Sequence, residues 1–415
     1  FASEFRRGGG QLNLRPHETW LTEQIESRRG AGSLRWNHSP TPETFYSLKT
    51  SLAHLNRATY YGAGFDPNAY GRTTNPLWVT DAQAGRQAGR HSILGGYQFS
   101  RDKVSDVLPA YNRDLSGAFT NHGLYVQDEF RINRKLVLLG GVRADKANMV
   151  DHWIFSPRAG LRLAVTDNLT WRFTLSTGFR APAVFDEDLH VSNAGGEGLL
   201  IENAPGLEAE KSLSFGSGLD CFGSFRGRRF QVGANLFSTN LRHNFQLIET
   251  SLERDGYRQL LRVNGPGSFV RGVDLNGNLQ VASALRLRAG GSLQVARYKE
   301  PEGQFGSRDF FRTPRRYGFL GFDWDLPHRL QLVGTANYTG SMRVPHYAGY
   351  IPEDRLEKSK PFTAFSLVVS RLFLNAGNIT DACQRDLDRG YRRDSGYVYG
   401  PAIMRQFVLG ATWEF

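Results

Sequence analysis

Apolar and polar residues alternate with a period of two along most of this sequence. The end of the chain shows the pattern clearly, because Phe407, Leu409 and Ala411 would lie on one face of an extended strand and Gln406 and Thr412 on the other. Successive side chains of a strand point to opposite faces, so such a strand has one apolar and one mostly polar face. The pattern predicts an all-β fold whose strands separate two different environments.

The same alternation recurs elsewhere, for example in residues 169–176 and 285–295, and no helical period of 3.6 residues competes with it over a comparable length. No stretch approaches the roughly 18 consecutive apolar residues that a transmembrane helix needs. We predict about sixteen strands. Their approximate centres are residues 35, 49, 95, 125, 140, 160, 174, 215, 234, 260, 275, 290, 319, 334, 368 and 410.

Short and long connections alternate between these strands. The tight turns are residues 132–134, 166–168, 282–284 and 326–328. The long loops are roughly residues 101–118, 181–209, 299–313, 341–362 and 376–403. Short turns on one rim and long loops on the other are typical of a transmembrane antiparallel up-and-down β-barrel. The sequence of a soluble propeller would repeat with a period of about 40 residues, and we find no such repeat in this sequence. The pattern favours the membrane barrel over a soluble β protein.

Charge and cysteine content exclude several other classes. Lys and Arg number 51 against 40 Asp and Glu, a formal net charge of +11. Nucleic acid could bind such a chain, but no run of five or more basic residues occurs, so we expect arginines spread over polar strand faces and loops and no nucleic-acid partner. Two cysteines, Cys221 and Cys383, exclude a disulfide-dense scaffold and a four-cysteine zinc site. We expect two unpaired thiols, with one long-range disulfide as the alternative.

Several segments, taken in order, carry a resemblance to a known family. Asn121 to Phe130 reads NHGLYVQDEF, Leu138 to Asp145 reads LLGGVRAD, and residues 176–190 contain GFRAP followed by Phe185 and Asp186. Residues 269–274 read FVRGVD and residues 378–381 read NITD. Together they resemble TonB-dependent outer-membrane receptors of the ferric-siderophore, colicin and cobalamin receptor type. The resemblance covers roughly residues 90–415.

The resemblance implies a fold, a location and a set of partners. The family barrel has 22 strands, and about sixteen are visible in this sequence. The implied function is active import of a ferric siderophore, haem or cobalamin across the outer membrane of a Gram-negative bacterium. Energy would come from the TonB-ExbB-ExbD complex through a plug domain. The other implied partners are lipopolysaccharide and outer-membrane lipid, a surface lipoprotein, and the barrel-assembly machinery, which would read Gly410, Trp413 and Phe415.

The sequence also departs from the family pattern. We find no plug domain and no TonB box, and residues 1–415 begin in the middle of the strand pattern of the family. We therefore expect a receptor barrel lacking its N-terminal strands and plug. The last strand would then have to close against a first strand outside these residues. The segment Phe365 to Asn378 is shorter than we expect for the two strands and turn of the family.

The last long loop combines arginine with tyrosine. Arginine supplies forked donors and tyrosine an amphipathic ring, which suits an anionic aromatic ligand. The predicted ligand-binding residues are His190, Arg385, Arg389, Tyr391, Arg392, Arg393, Tyr397 and Tyr399. An ordinary solvated loop, or arginine contacts with lipopolysaccharide, would give the same composition.

Two further ideas concern metals. Asp186, Glu187 and Asp188 could bind calcium, although such a run is more often a solvated loop start. His190 or His346 could be an axial haem ligand, although a loop histidine is usually polar surface. We predict no intrinsic cofactor and no metal site. The transported ligand itself would be an iron or cobalt chelate.

Two rival functions remain, an outer-membrane β-barrel enzyme and a passive porin-like channel. No nucleophile elbow, HExxH motif or phosphate-binding glycine-rich motif occurs, so we predict no enzyme and no catalytic residues.

Overall fold

The computed structural model describes residues 1–415 except 186–198, 255–256, 328–329, 371, 391–392, 395–396, 402 and 412–415. The strands are β1 Ala2–Gly9, β2 Leu21–Thr41, β3 Thr44–Ala63, β4 Tyr70–Ala88, β5 His91–Leu108, β6 Arg113–Arg131, β7 Leu136–Ala147, β8 Ile154–Thr166, β9 Leu169–Arg180, β10 Leu199–Asn203, β11 Glu210–Phe225, β12 Arg228–Arg242, β13 Phe245–Arg254, β14 Tyr257–Asn264, β15 Ser268–Ala282, β16 Leu285–Tyr298, β17 Arg316–Leu326, β18 Leu330–Thr339, β19 Arg343–His346, β20 Arg355–Lys358, β21 Phe362–Ser370, β22 Leu372–Gly377 and β23 Gln406–Ala411. Two 3₁₀ turns, Pro16–Glu18 and Pro109–Tyr111, complete the regular structure of the described residues.

Eighteen of these strands form one sheet in which each strand pairs antiparallel with the next along the chain. Strands β10, β13 and β14 form a separate three-stranded sheet, and β19 and β20 form a hairpin. The predicted all-β, antiparallel up-and-down architecture is confirmed. Among the described residues, no ladder joins β23 to β1, so these strands are the two ends of the strand order.

The predicted number of strands was too low. Strands β1, β4, β10, β13, β19, β20 and β22 had no predicted counterpart, and the strand expected near residue 260 is β14 of the small sheet. The long loop expected at residues 101–118 was wrong, because β5 and β6 run through it and only a short 3₁₀ turn separates them. Charged residues caused that error. Arg113 and Asp106 lie on the interior face of these strands, with Arg113 Nη2 2.6 Å from Asp106 Oδ2.

The expectation that Phe365 to Asn378 is too short for two strands was also wrong. Strand β21 begins before this segment, at Phe362, and β22 needs only six residues. Three register pairs join them, among them Leu367 with Ala376. Two strands therefore fit where the sequence suggested missing residues.

Strand register defines two faces of the main sheet. Leu236, Val273 and Leu293 are aligned across β12, β15 and β16, and Leu236 and Leu293 are 54% and 57% exposed. We call this the outer face. The opposite, interior face has aligned polar residues such as Tyr125 and Arg143. Phe407 and Leu409 of β23 lie on the outer face, at 66% and 76% exposure, so the predicted alternation is realised in the described part of the last strand.

The connections fall into two groups on opposite edges of the sheet. Eight consecutive strand pairs, beginning with β2 and β3, are joined by turns of one to four residues. Because neighbouring strands are antiparallel, all eight turns lie at one edge, which we call the short-turn rim. The other nine connections lie at the opposite edge, the long-loop rim. Eight of them have six or more residues, and the β5–β6 connection, residues 109–112, has four. The predicted alternation is confirmed except at β5–β6.

In the described part of the chain, no helix has both the length and the apolar character needed to cross a membrane.

Candidate ligand-binding site at the long-loop rim

The loop between β22 and β23 is fastened at its base by Asn378. Its Nδ2 donates to the carbonyls of Ala382 at 2.9 Å and Ile403 at 3.0 Å, and its Oδ1 accepts from the Ala382 N–H at 2.9 Å. Asn378 has φ 46°, a left-handed conformation that asparagine tolerates better than most residues. It is 6% exposed. The first residue of the NITD motif therefore joins the two ends of the loop.

Asn378→Ala is expected to loosen this loop while leaving the sheet intact. The change removes three hydrogen bonds, each contributing about 1 kcal/mol, so we expect a local loss of about 2–3 kcal/mol. Hydrogen exchange of residues 381–405 measures it. Thr380→Ala, at an exposed position of the same motif, is the control and should leave exchange unchanged. Equal exchange rates in both variants would contradict the assignment.

The loop also packs against the β19–β20 hairpin through His346. Its Nδ1 lies 3.2 Å from Glu357 Oε1 and its Nε2 lies 2.8 Å from Asp388 Oδ2. The imidazole stacks on the Tyr397 ring, with centroids 3.7 Å apart and planes at 6°. His346 is 3% exposed. Since both ring nitrogens are engaged, His346 has no free nitrogen for an axial haem bond in this structure.

Tyr397 and Tyr399 form the inner layer of the loop. They are 4% and 8% exposed and cluster with Met342 and Val344. The Tyr399 hydroxyl donates to Asp386 Oδ1 at 2.6 Å, and the Tyr397 hydroxyl donates to Asp386 Oδ2 at 3.3 Å. Burial, together with the Asp386 carboxylate, raises the pKa of both phenols, so both remain neutral donors. These two predicted site residues thus hold the loop's shape.

The same contacts set the charge of Asp386. Partial burial acts to raise the pKa of its carboxyl, but the hydrogen bonds from Tyr399 and Tyr397 hold that pKa below its usual value. Asp386 therefore stays ionised and accepts from both tyrosine hydroxyls.

The predicted arginines lie on the outside of the same loop. Arg385 and Arg389 are exposed and Arg393 is half-buried. Among the described residues, none of the three forms an ion pair with a carboxylate. His190, Tyr391 and Arg392 lie outside the described residues, as do Asp186, Glu187, Asp188, Trp413 and Phe415. Gly410 lies in β23, paired with Phe373 of β22.

A second basic group, which the sequence did not single out, lies on the loop between β16 and β17. Arg297 Nε and Arg315 Nη2 lie 3.0 and 2.7 Å from the carboxylate of Asp309. Arg308 and Arg343 line the same cavity, which has a volume of about 420 Å³. Two arginines thus pair with Asp309 and two more line its cavity, so the group keeps a positive charge. The arginines at residues 308, 312, 315 and 316 were the available sequence signal.

The Asp309 carboxylate of this second group is kept ionised by its arginine neighbours. Burial acts to raise the pKa of Asp309, but hydrogen bonds and charge from Arg315 and Arg297 hold that pKa below its usual value.

Metal-binding chemistry is not evident in the described residues. No group of three or more His, Cys, Asp or Glu side chains there could hold a metal ion. Cys221 and Cys383 are both free thiols, as predicted. The long-loop rim carries several arginine guanidinium groups, which suit non-covalent binding of an anion.

Comparisons with known proteins place the chain in a family. Residues 3–378 match the family described as TonB dependent receptor-like, beta-barrel. No curated protein matches the sequence significantly.

Solved structures with a similar fold are transport receptors. The ferric-catecholate import receptor Fiu from K12 E. coli is 15% identical with a TM-score of 0.67, over 94% of this chain and 64% of that one. The ferric enterobactin receptor PfeA from Pseudomonas aeruginosa is 17% identical with a TM-score of 0.66, over 94% of this chain and 61% of that one. The copper transporter OprC is 12% identical with a TM-score of 0.67, over 93% and 67%.

The chain thus spans under two thirds of the length of Fiu and PfeA. At these identities the structural matches establish the fold, while the family match covers most of the sequence. The family consists of transport receptors and not enzymes, in agreement with the absence of catalytic motifs. This chain belongs to the TonB-dependent receptor family, and its residues 3–378 match the β-barrel of that family.

Proposed function

We propose that this chain is the β-barrel wall of a Gram-negative outer-membrane receptor that imports an anionic metal chelate, with a ferric siderophore as the first candidate. One observation carries the proposal. Arg385, Arg389 and Arg393 lie on a fastened loop at the long-loop rim, without a carboxylate partner among the described residues. The similarity to receptors named for ferric-catecholate and ferric enterobactin supports this ligand class.

The chemistry of arginine supports an anionic ligand. A planar guanidinium donates two parallel hydrogen bonds to an anion, and such charge-assisted bonds are about twice as strong as neutral ones. The arginines of the 420 Å³ cavity add positive charge on a neighbouring loop. A positive rim also attracts an anion before contact and raises its association rate. His190, Tyr391 and Arg392 remain proposed contributors.

Transport requires parts beyond this barrel. We propose that TonB-ExbB-ExbD supplies energy through a plug domain, and that the barrel-assembly machinery reads Gly410, Trp413 and Phe415. A surface lipoprotein remains a further proposed partner. A copper ligand, as the name of OprC suggests, and a passive channel are the alternatives. Haem ligation at His346 fits less well, since both ring nitrogens of His346 are engaged, and cobalamin stays among the candidate ligands.

The triple variant Arg385→Gln, Arg389→Gln, Arg393→Gln is expected to weaken binding of ferric enterobactin by about 10- to 100-fold. Each charge-assisted hydrogen bond that is lost contributes at most about 1.5–3 kcal/mol to the binding free energy. The total loss will be smaller, because water replaces some of these contacts. Uptake of the ⁵⁵Fe chelate by cells carrying the full-length receptor measures the effect. We expect uptake to require TonB.

The matched control removes the same charge from the short-turn rim. Arg131→Gln, Arg134→Gln, Lys135→Gln changes three exposed residues around the β6–β7 turn and should leave uptake unchanged. Equal loss in both triple variants would show a general charge effect and contradict the loop assignment. Uptake that is unaffected by loss of TonB would favour the passive channel.

A further inference from the structure

His346 is almost fully buried between two separate parts of the long-loop rim. It belongs to β19, and its ring lies between Glu357 of β20 and Asp388 of the β22–β23 loop. The β19–β20 hairpin and the β22–β23 loop belong to different connections of the main sheet, so this side chain joins them. We call His346, Glu357 and Asp388 the histidine junction.

The hydrogen bonds of the histidine junction require a particular protonation state of the ring. Glu357 Oε1, which lies 3.2 Å from Nδ1, also accepts from Arg355 Nε at 2.6 Å. Asp388 Oδ2, which lies 2.8 Å from Nε2, also accepts from the Asp394 N–H at 3.1 Å. Each oxygen thus acts as an acceptor, as in an ionised carboxylate. A neutral imidazole donates through only one nitrogen, so both contacts form together only when the ring carries two N–H protons and a positive charge.

The stacking of the ring favours the same charged form. The Tyr397 ring lies parallel to the imidazole, and the face of an aromatic ring attracts a cation. The charges around the imidazole are negative in sum, which also stabilises a positive ring. In the described part of the chain, the titratable and charged groups that face it from the hairpin and the loop are Glu357, Arg355, Asp388, Asp394 and Tyr397.

We propose that His346 positions the β22–β23 loop as an imidazolium, and that loss of its proton at alkaline pH releases the loop from the hairpin. Without that proton, one ring nitrogen presents a lone pair to a carboxylate oxygen. Because the ring is 3% exposed, water does not replace the lost donor. The histidine junction is therefore intact at acidic pH and is lost as the pH rises.

Release of the loop has a consequence for ligand binding, and this consequence rests on the proposed function. Arg385, Arg389 and Arg393 belong to the β22–β23 loop. Their guanidinium groups keep a common position only while the loop is held. Binding of an anionic chelate should therefore weaken when the histidine junction is lost.

Hydrogen exchange of the full-length receptor in detergent micelles, without ligand, tests the histidine junction between about pH 5 and pH 9. The reporters are three hydrogen-bonded loop amides, the N–H groups of Asp394, Tyr397 and Tyr399. Their protection factors, which correct for the intrinsic effect of pH on exchange, should fall about 10- to 100-fold over this range, since a hydrogen bond between charged groups is lost. His152→Gln, at an exposed histidine of the β7–β8 loop, is the control and should show the same fall.

Two variants of the histidine junction separate protonation from packing. His346→Gln has no titrating ring, so protection of the loop should be low at every pH. In Glu357→Gln, the new amide can donate to Nδ1 of a neutral His346 while Nε2 still donates to Asp388, so protection should stay high at every pH. A receptor without the pH-dependent fall, or a fall of unchanged size in either variant, would overturn the inference.

Binding of ferric enterobactin at alkaline pH distinguishes this inference from the proposed function. Glu357→Gln, with its loop held, should bind the chelate about 10-fold more tightly than His346→Gln. Equal affinities, together with the expected exchange results, would support the histidine junction and contradict the placement of the chelate on the arginine loop. If the exchange results fail but Arg385→Gln, Arg389→Gln, Arg393→Gln still loses uptake, only the histidine junction is wrong.

Discussion

Leu275→Arg is expected to destabilise the folded receptor by about 2–4 kcal/mol in lipid vesicles, whereas Asn276→Arg on the next residue should cost far less. Leu275 lies on the outer face of β15, 55% exposed, within the segment between Arg271 and Ala282. In a membrane, the exposed surface of residue 275 contacts the hydrocarbon of the lipid. An arginine there would lose the hydration of its guanidinium group.

Asn276 is the matched control because it belongs to the same strand and faces the interior. It is aligned with Gly233 and Gly290, whereas Leu275 is aligned with Ala234 and Gly291. Equilibrium unfolding in urea, followed by tryptophan fluorescence, measures both free energies of unfolding. If the two arginine variants lose the same stability, the outer face does not contact lipid.

Asp145→Ala is the second change with a large expected effect. It should lower the free energy of unfolding by about 3 kcal/mol. Asp145 is 1% exposed and accepts bidentate bonds from Arg143, with Nε to Oδ2 and Nη2 to Oδ1 both at 2.8 Å. Asn121 Nδ2 also donates to its Oδ1 at 2.8 Å. Removing Asp145 leaves the Arg143 guanidinium, whose side chain is 29% exposed, without its carboxylate partner, so we expect a larger loss than for a fully exposed pair.

Asp151→Ala serves as the control, because Asp151 is an exposed carboxylate just beyond the same strand. It should change stability by less than about 0.5 kcal/mol. The double change Arg143→Leu, Asp145→Leu should recover part of the loss, because no unpaired charge remains. A loss for Asp145→Ala no larger than for Asp151→Ala would contradict this role.

Local pattern was enough to predict most strands of the main sheet. Alternation depends only on neighbouring residues, so it located most strands, and the turns at residues 132–134 and 166–168 followed from the polar, turn-forming residues there. The family motifs agree, since Arg143 and Asp145 of LLGGVRAD form the buried pair, and Asn378 of NITD fastens the last loop.

Strand limits depended on contacts that local pattern does not encode. The stretch around Asp106 and Arg113 looked like a polar loop, yet both residues lie in long strands and form an ion pair across the ladder. The sequence analysis did not predict the short strand β22. Its partner β21 begins earlier than the apolar pattern indicated, which leaves room for β22 after it.

The candidate site was predicted only in part for the same reason. Composition identified Arg385 and Arg389 on the exposed side of the loop. It could not show that Tyr397 would be buried against His346, since that contact needs the β19–β20 hairpin from another loop. Nor could it bring Arg308 and Arg343 together, because their cavity joins two separate loops.

The most direct test of the account is the side of the membrane on which each rim lies. In a Cys221→Ala, Cys383→Ala background of the full-length receptor, single cysteines replace Arg389 at the long-loop rim and Asn133 at the short-turn rim. Intact cells are treated with a maleimide too large for porins. We predict labelling at 389 in intact cells, and at 133 only after the outer membrane is permeabilised. Labelling of 133 in intact cells, or protection of 389, would contradict a receptor barrel with its long loops at the cell surface.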